Sequence, residues 1–240
     1  MPRSAVKESR EMSSPTPPTP AVNPVSPVVI ALFFLIIGVE AVFTLGAQGV
    51  VGGPKAGGWR VVAVQKYAFS GGSFDGMWTN GRWPAEHLVR FVSYPFVHGS
   101  FIHAFFAGGM LLALGKFVGD VFSQVATLAI FIGSCVFGAL AYGILLDDQI
   151  PLFGAFPGVY GMIGAFTYLL WLRLGEEGAQ QSRAFVLIGG LMFIQLVFGL
   201  LFGGSNAWVA DLAGFAAGFG LSFFLAPGGW AKLRAKLRHK

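Results

Sequence analysis

Ionisable side chains that could take part in chemistry are rare within the long apolar stretches of this chain. His98, His103 and Asp211 stand out against their surroundings. An imidazole or a carboxylate can accept a proton from a hydroxyl or a water, so these residues could act as general bases. Histidine and aspartate are also common metal ligands. However, His98 and His103 are five positions apart, roughly 140° around a helix, and should not share a helix face. We therefore expect neither a metal nor a cofactor.

Carboxylates within a helical bundle need either a proton or a hydrogen-bond donor. For Asp211, two partners are open: His103, directly or through a water, and Tyr160. Glu40 interrupts the first apolar stretch and should face other protein segments or the membrane interface. A structural role is favoured for Glu40, and a functional role stays open.

The composition indicates the environment of the chain. Of its 240 residues, 55% are hydrophobic and 11% are charged, whereas soluble domains carry about 25% charged residues. Such a sequence is typical of a protein that crosses the bilayer several times as helices. The single cysteine, Cys135, excludes an internal disulfide and fits a small helix-packing residue. The basic residues concentrate in the C-terminal tail, so we expect contact with membrane lipids and no binding to nucleic acid.

Hydropathy divides the chain into three parts. Residues 1–26 are rich in proline and should form a disordered extension, residues 27–226 a transmembrane domain, and residues 227–240 a basic tail. Because about 20 apolar residues cross the hydrocarbon as a helix, six spans are predicted, at 27–46, 100–118, 121–146, 157–174, 184–203 and 207–226. Residues 48–95 are too polar to span and rich in aromatic residues. They should form a long loop of short helices in the membrane interface.

The distribution of lysine and arginine predicts the orientation. The tail has five such residues, and the connections after the second and the fourth predicted spans also carry them. The connections after the third and the fifth spans have none. Because positive residues remain on the cytoplasmic side, both termini should be cytoplasmic, in what we expect to be a bacterial inner membrane.

Glycines recur at helix-packing intervals in the fourth and sixth predicted spans. Three lie three residues apart in the fourth span, and two lie four residues apart in the sixth: Gly158, Gly161, Gly164, Gly214 and Gly218. Residues without side chains let helix backbones approach closely in a membrane. We expect these two helices to pack tightly against their neighbours.

Three motifs, taken in this order, resemble the rhomboid family of intramembrane proteases. They are RFVSYPFVHGSFIHAFFAGGMLLALG, GAFPGVYGMIGA and ADLAGFAAGFG. The positions that match the family by spacing are Arg90, His98, His103, Gly115, Gly154, Gly161, Gly164, Gly214 and Gly218. All of these except His103 are expected to be structural. The family often has tryptophan before the arginine, where this chain has Val89.

The resemblance covers about residues 27–226. It implies an all-α membrane protein, a six-transmembrane-helix bundle with a long interfacial loop between helices 1 and 2. It also implies a serine nucleophile with a histidine base, and a histidine and an asparagine that help to stabilise an oxyanion.

That catalytic set is missing at the matching positions. The serine position is Phe156, the glycine after it is Pro157, the base position is Asp211 and the asparagine position is Ala107. Of the expected polar groups only His103 remains. Phenylalanine has no nucleophilic atom, and proline has no N–H to offer an oxyanion. Ser134 and Thr167 should lie away from this site and offer no replacement nucleophile.

Two functions are therefore weighed. The first is a rhomboid-like pseudoprotease that binds transmembrane segments of client proteins without cutting them, in regulation or quality control. Its expected binding residues are His103, Phe156, Pro157, Tyr160 and Asp211. The alternative is an active rhomboid-family endopeptidase with an unconventional site, in which Asp211 acts on water; such chemistry commonly uses two carboxylates. A transporter or channel is disfavoured, because few ionisable residues lie within the predicted spans.

Overall fold

Residues 24–146, 150–202 and 205–227 are described by the computed structural model of the protein. In chain order the helices are α1 (Pro27–Ala47), α2 (Trp59–Tyr67), α3 (Gly71–Asn80), α4 (Ala85–Leu88), α5 (Arg90–Ser93), α6 (Phe101–Gly119), α7 (Gln124–Leu145), α8 (Phe156–Glu176), α9 (Val186–Phe202) and α10 (Trp208–Leu225). The predictions for the proline-rich extension up to residue 23 and for the basic tail from residue 228 lie outside the described residues, as do the connections at 147–149 and 203–204.

Helices occupy all six stretches that were predicted as spans. Among the described residues, α1, α6, α7 and α10 are long and apolar enough to cross a membrane by length and composition. Helix α8 has 21 residues but is rich in glycine and carries Arg173 and Glu176 at its end, and α9 has 17 residues. The count of six spans therefore stays a prediction, whereas an all-helical architecture with four candidate membrane spans is confirmed for the described residues.

Local sequence signals explain where several of these helices begin. Pro27 occupies the first turn of α1, where its missing N–H costs nothing. Ser100 caps α6 by accepting a hydrogen bond from His103 N at 3.2 Å, and Ser123 caps α7 in the same way through Ala126 N at 3.2 Å.

The segment between α1 and α6 consists of the four short helices α2 to α5. Its aromatic side chains pack on one another: the ring centroids of Phe69 and Phe91 lie 4.9 Å apart, and Phe74 contacts both rings. Backbone bonds between Phe69 and Leu152, at 2.9 and 2.8 Å, join this segment to the connection before α8. Its location in the membrane interface stays a prediction.

Glu40 has a structural partner from this segment. Its carboxylate is buried within α1 and forms an ion pair with Arg60 of α2. The hydroxyl of Thr44 donates to the same carboxylate at 3.0 Å. Arg60 also donates to Gly99 O at 3.3 Å, just before α6. The ion pair thus joins α1, α2 and the start of α6, which favours the structural role for Glu40.

Helices α8 and α10 meet backbone to backbone. A side chain on Gly214 would overlap the carbonyl oxygen of Pro157, and one on Gly218 would overlap that of Gly161. From the other side, a Cβ on Gly164 would lie 2.6 Å from Phe219 N. The predicted tight packing of these helices is confirmed. We call this contact the α8–α10 seam.

Other buried glycines of α6 and α8 pack against side chains of neighbouring helices. Gly158 of α8 lies against the ring of Phe131, and a Cβ there would stand 2.8 Å from Cys135 Sγ. Gly115 of α6 lies against Val29 of α1, where a Cβ would stand 2.6 Å from Cγ1. Cys135 is fully buried, as expected for a small helix-packing residue.

Candidate functional site

A cavity of about 270 Å³ lies where α6, α8, α9 and α10 converge. Its lining includes four of the five residues expected at the binding site, namely His103, Phe156, Pro157 and Asp211. The apolar connection before α8 forms part of its wall. Three polar residues from other parts of the chain complete the lining: Tyr142, Gln195 and Ser205.

His103 is fixed at the first turn of α6. The Ser100 cap sets the start of this helix two residues before it. The imidazole lies parallel to the ring of Phe156, with centroids 5.1 Å apart and planes inclined by 14°. The ring of Phe153 stands edge-on at 6.3 Å. The retained histidine is therefore packed among aromatic rings, and it stacks on the residue at the serine position.

The helical argument that separated His98 from His103 is wrong. His98 precedes α6 and is not helical, so the spacing of a helix does not apply, and the two imidazole centroids lie 5.2 Å apart. His98 is buried, and its Nε2 accepts a hydrogen bond from Ala155 N at 3.2 Å. Burial, together with the nearby His103, lowers the pKa of His98 from 6.5 to about 3. A neutral His98 thus anchors the residue just before Phe156.

The turn before α8 depends on Gly154. This residue has φ +99°, a conformation that glycine adopts readily. Its N–H donates to Tyr94 O at 3.0 Å, and a Cβ on it would stand 2.7 Å from His103 Cε1. Tyr94 in turn donates its buried hydroxyl to Cys135 O at 2.8 Å. These bonds direct Phe156 toward the cavity, in agreement with a structural role for Gly154.

Asp211 reaches the cavity from the first turn of α10. The α8–α10 seam places that turn beside Pro157, because Gly214 packs on the Pro157 carbonyl. The carboxylate is buried, and Oδ2 accepts a hydrogen bond from Gln195 Nε2 at 2.9 Å. The partner of Asp211 is thus an amide from α9, and neither His103 nor Tyr160 supplies its hydrogen bond.

The remaining predicted residues lie away from the cavity wall. Tyr160 is buried in an apolar cluster with Ile163 and Phe215. Ala107 is buried within α6. Arg90 donates to Ala68 O at 3.4 Å and joins α5 to the end of α2, which suits a structural role.

Comparison with protein families gives one match. The family model of the rhomboid domain matches residues 85–228, more than half of the chain. The chain belongs to the rhomboid family. This confirms the family that the three motifs indicated, and the apolar helices agree with an integral membrane protein. Comparison with the curated proteins gives no match.

In this rhomboid, Phe156 and Asp211 come from helices that are far apart in sequence, and both line the same cavity. They are the residues that the motifs predict at the serine and histidine positions of the family, and that assignment stays a prediction. The ring at the serine position is stacked on His103. The carboxylate at the histidine position can accept protons or hydrogen bonds, and it faces no hydroxyl at position 156 to activate.

Three polar residues of the rhomboid cavity were not predicted from the sequence, namely Tyr142, Gln195 and Ser205. Gln195 is a lone amide in a strongly apolar helix, and polar residues within spans commonly mark sites. Ser205 is exposed in the connection before α10 and lines the cavity together with His103 and Asp211. Its closeness to Asp211 in sequence was the available signal. Ser134 and Thr167 are buried and do not line the cavity.

Proposed function

We propose that this rhomboid is a pseudoprotease that binds transmembrane segments of client membrane proteins without cleaving them. The role suits regulation or quality control of membrane proteins. The observation that carries the proposal is the stack of Phe156 on His103, with ring centroids 5.1 Å apart. A phenyl ring thus occupies the position from which a serine hydroxyl attacks in a serine-type rhomboid.

The rest of the cavity supports the same conclusion. Serine-type hydrolysis needs a nucleophile, a base within hydrogen-bond reach of it, and donors for the oxyanion. Pro157 has no N–H to donate, and the Asp211 carboxylate is hydrogen-bonded to Gln195. Losing nucleophile and base together reduces turnover by about 10⁶ in serine proteases. A cavity of about 270 Å³ that lacks these groups is suited to binding.

The membrane arrangement is part of the proposal. Six spans follow from the hydropathy of the sequence, and the lysine and arginine distribution favours cytoplasmic termini in a bacterial inner membrane. The basic tail contacts anionic lipids of the inner membrane, and client transmembrane helices reach the cavity from within the bilayer. Fusion of a reporter to the C-terminus tests the orientation: it should be active only with a cytoplasmic reporter, and activity of a periplasmic reporter would contradict it.

A fluorophosphonate probe, which labels activated serines, tests the absence of serine chemistry. The purified full-length protein is reconstituted in liposomes and incubated with the probe, alongside a Ser205→Ala variant. We expect no labelling above that of heat-denatured protein. Labelling of the wild type that disappears in Ser205→Ala would overturn the proposal.

The alternative, an active endopeptidase with an unconventional site, has one specific observation in its favour. Ser205, His103 and Asp211 line one cavity, so a hydroxyl, an imidazole and a carboxylate are present together. A second form of this alternative uses Asp211 to activate water. Incubating a labelled single-span substrate with wild type, Ser205→Ala and Asp211→Asn distinguishes the forms. Cleavage lost only in Asp211→Asn supports the water mechanism, and no cleavage by any of the three proteins supports the pseudoprotease.

A further inference from the structure

Two buried oxygen atoms of the cavity residues have no hydrogen-bond donor among the described residues. They are Asp211 Oδ1 and Gln195 Oε1. Asp211 is only 3% exposed, and both residues line the cavity. A buried acceptor without a donor is costly, and in native proteins it calls for a specific partner. These two oxygen atoms without a donor therefore point to a ligand.

The pair defines the chemistry of that ligand. A carboxylate only accepts hydrogen bonds, and the NH₂ group of Gln195 already donates to Asp211 Oδ2. The atoms of the two side chains that lack a partner are a pair of acceptors, one from a carboxylate. Among the described residues that line the cavity there is no lysine or arginine. A cationic donor, such as an ammonium or a guanidinium, is the complementary group.

The size and walls of the cavity suit the end of a long side chain. Its volume of about 270 Å³ far exceeds the roughly 30 Å³ that one water occupies in the liquid. The connection before α8 contributes apolar walls through Leu152 and Phe153. A lysine or arginine places its methylene stem along such a surface and its charge at a polar end.

We propose that the cavity recognises a basic side chain, lysine foremost, carried by the transmembrane segment of a client. This inference rests on the proposed function and names the class of client. Asp211 binds the cation and Gln195 supplies a second acceptor. A basic residue within a membrane span is costly and gains most from a buried counter-charge. Asp211 is the fourth residue of α10, roughly 5 Å along the helix axis, so the matching lysine lies within the first two turns of the client span.

Binding of designed single-span peptides tests the inference. Each peptide is a labelled Leu/Ala helix of about 20 residues, with either lysine or methionine at one position in its second turn. Full-length protein in nanodiscs is titrated with each peptide, and Kd is measured by energy transfer. We expect the lysine peptide to bind at least about tenfold more tightly, as close charge pairs in interfaces do.

Variants identify the group responsible. Asp211→Asn keeps the shape and removes the charge, so the preference for lysine should fall to about one. Asp75→Asn, in α3 and away from the cavity lining, is the matched control and should keep the full preference. If Asp211→Asn does not fold, Gln195→Met keeps Asp211 and should lower the preference by about threefold, the loss of one hydrogen bond.

The outcomes separate this inference from the proposed function. Equal binding of both peptides, or an unchanged preference in Asp211→Asn, overturns the inference and leaves client binding intact. Failure of both peptides to bind overturns both. Butylammonium chloride is added as a free cation: weak competition supports a client side chain, and displacement of the lysine peptide at equal concentration overturns the assignment to a client.

Discussion

The α8–α10 seam and the cavity at its end obey different physical constraints. Along the seam, Gly214 and Gly218 face the carbonyl oxygens of Pro157 and Gly161, and there is no room for a side chain. In the cavity one turn away, the lining includes the phenyl ring of Phe156 and the carboxylate of Asp211, the residues predicted at the serine and histidine positions of the family.

The difference shows which part of the molecule is fixed by the fold. Backbone contact between helices leaves glycine as the only residue that fits, so the seam holds α8 and α10 in place whatever lies in the cavity. A cavity of about 270 Å³ tolerates different side chains, because they project into free space. Side chains at the cavity can therefore change without disturbing the packing of α8 on α10.

The largest change in the free energy of unfolding is expected from a methyl group added in the α8–α10 seam. Gly218→Ala puts a Cβ into the Gly161 carbonyl, and we expect a loss of about 3 kcal/mol in the free energy of unfolding, the upper range for overpacking. Gly220→Ala, on the same helix with nothing within 4 Å, should change it by less than about 0.5 kcal/mol. Thermal unfolding in one detergent measures both. Equal losses would show that the seam is not a close contact.

Gly154, in the turn before α8, should be the next most sensitive position to substitution. Alanine there meets both an unfavourable φ of +99° and a contact at 2.7 Å with His103 Cε1. We expect a loss of about 2 kcal/mol. Gly81→Ala has φ +61° and free space around its Cβ, so it should cost about 1 kcal/mol from backbone strain alone. Chemical denaturation gives the two values, and a Gly154→Ala loss no larger than that of Gly81→Ala would refute the contact with His103.

His98 should make the free energy of unfolding of the protein depend on pH. Its pKa is lowered from 6.5 to about 3 in the folded protein, so the unfolded chain takes up the proton first as the pH falls. The contribution of neutral His98 to the free energy of unfolding is intact above pH 6.5. It is lost between pH 6.5 and 3, at about 1.4 kcal/mol per pH unit. From pH 6.5 to 5 the loss is about 2 kcal/mol.

The control for that pH dependence is His98→Gln. Glutamine offers an oxygen acceptor to Ala155 N and does not titrate, so its profile between pH 7 and 5 should be flatter than that of the wild type. Parallel profiles of denaturation midpoint against pH would show that His98 is not the group responsible.

The smallest effect on stability is expected from the ion pair between Glu40 and Arg60, which joins α1, α2 and the start of α6. Glu40→Gln removes the charge partner of Arg60, whose side chain is 27% exposed and so keeps some solvation. We expect a loss of about 1 kcal/mol. Glu86→Gln, with a side chain 78% exposed, should cost less than about 0.3 kcal/mol. Denaturation in 0.5 M salt should reduce the difference between the losses of the two variants only slightly. If that difference vanishes in salt, the Glu40–Arg60 pair behaves as an exposed ion pair.

Sequence patterns predicted the helices and the tight packing of α8 and α10 against their neighbours, because both follow from local composition. About 20 apolar residues are needed to cross the hydrocarbon, and glycines at regular spacing mark close helix packing. The error at His98 came from applying helical spacing to a residue that precedes α6. Ser100, a good N-cap residue, was the signal that the helix begins after it.

The polar half of the cavity was not predictable in the same way. Gln195 lies 16 residues before Asp211 in sequence, and its bond to that carboxylate exists only because α9 and α10 meet beside the cavity. Ser205 lies in a connection with no periodicity. Tyr160 was expected as a partner of Asp211 from its place one turn after Phe156, but Gln195 supplies the hydrogen bond and Tyr160 packs with Ile163 and Phe215. Which residues face a cavity depends on helix rotation, and the sequence pattern did not fix it.

Photo-crosslinking combined with mass spectrometry tests most directly whether the cavity binds without cutting. A benzoyl-phenylalanine replaces Ile150, an exposed residue of the cavity lining, and as a control Val61, an exposed residue away from it. Liposomes containing each protein and a single-span client with a lysine are irradiated after long incubation. We expect adducts of the intact client at position 150, few adducts at position 61, and no client fragments. Client fragments that form with the wild type and disappear in Asp211→Asn or Ser205→Ala would contradict this expectation.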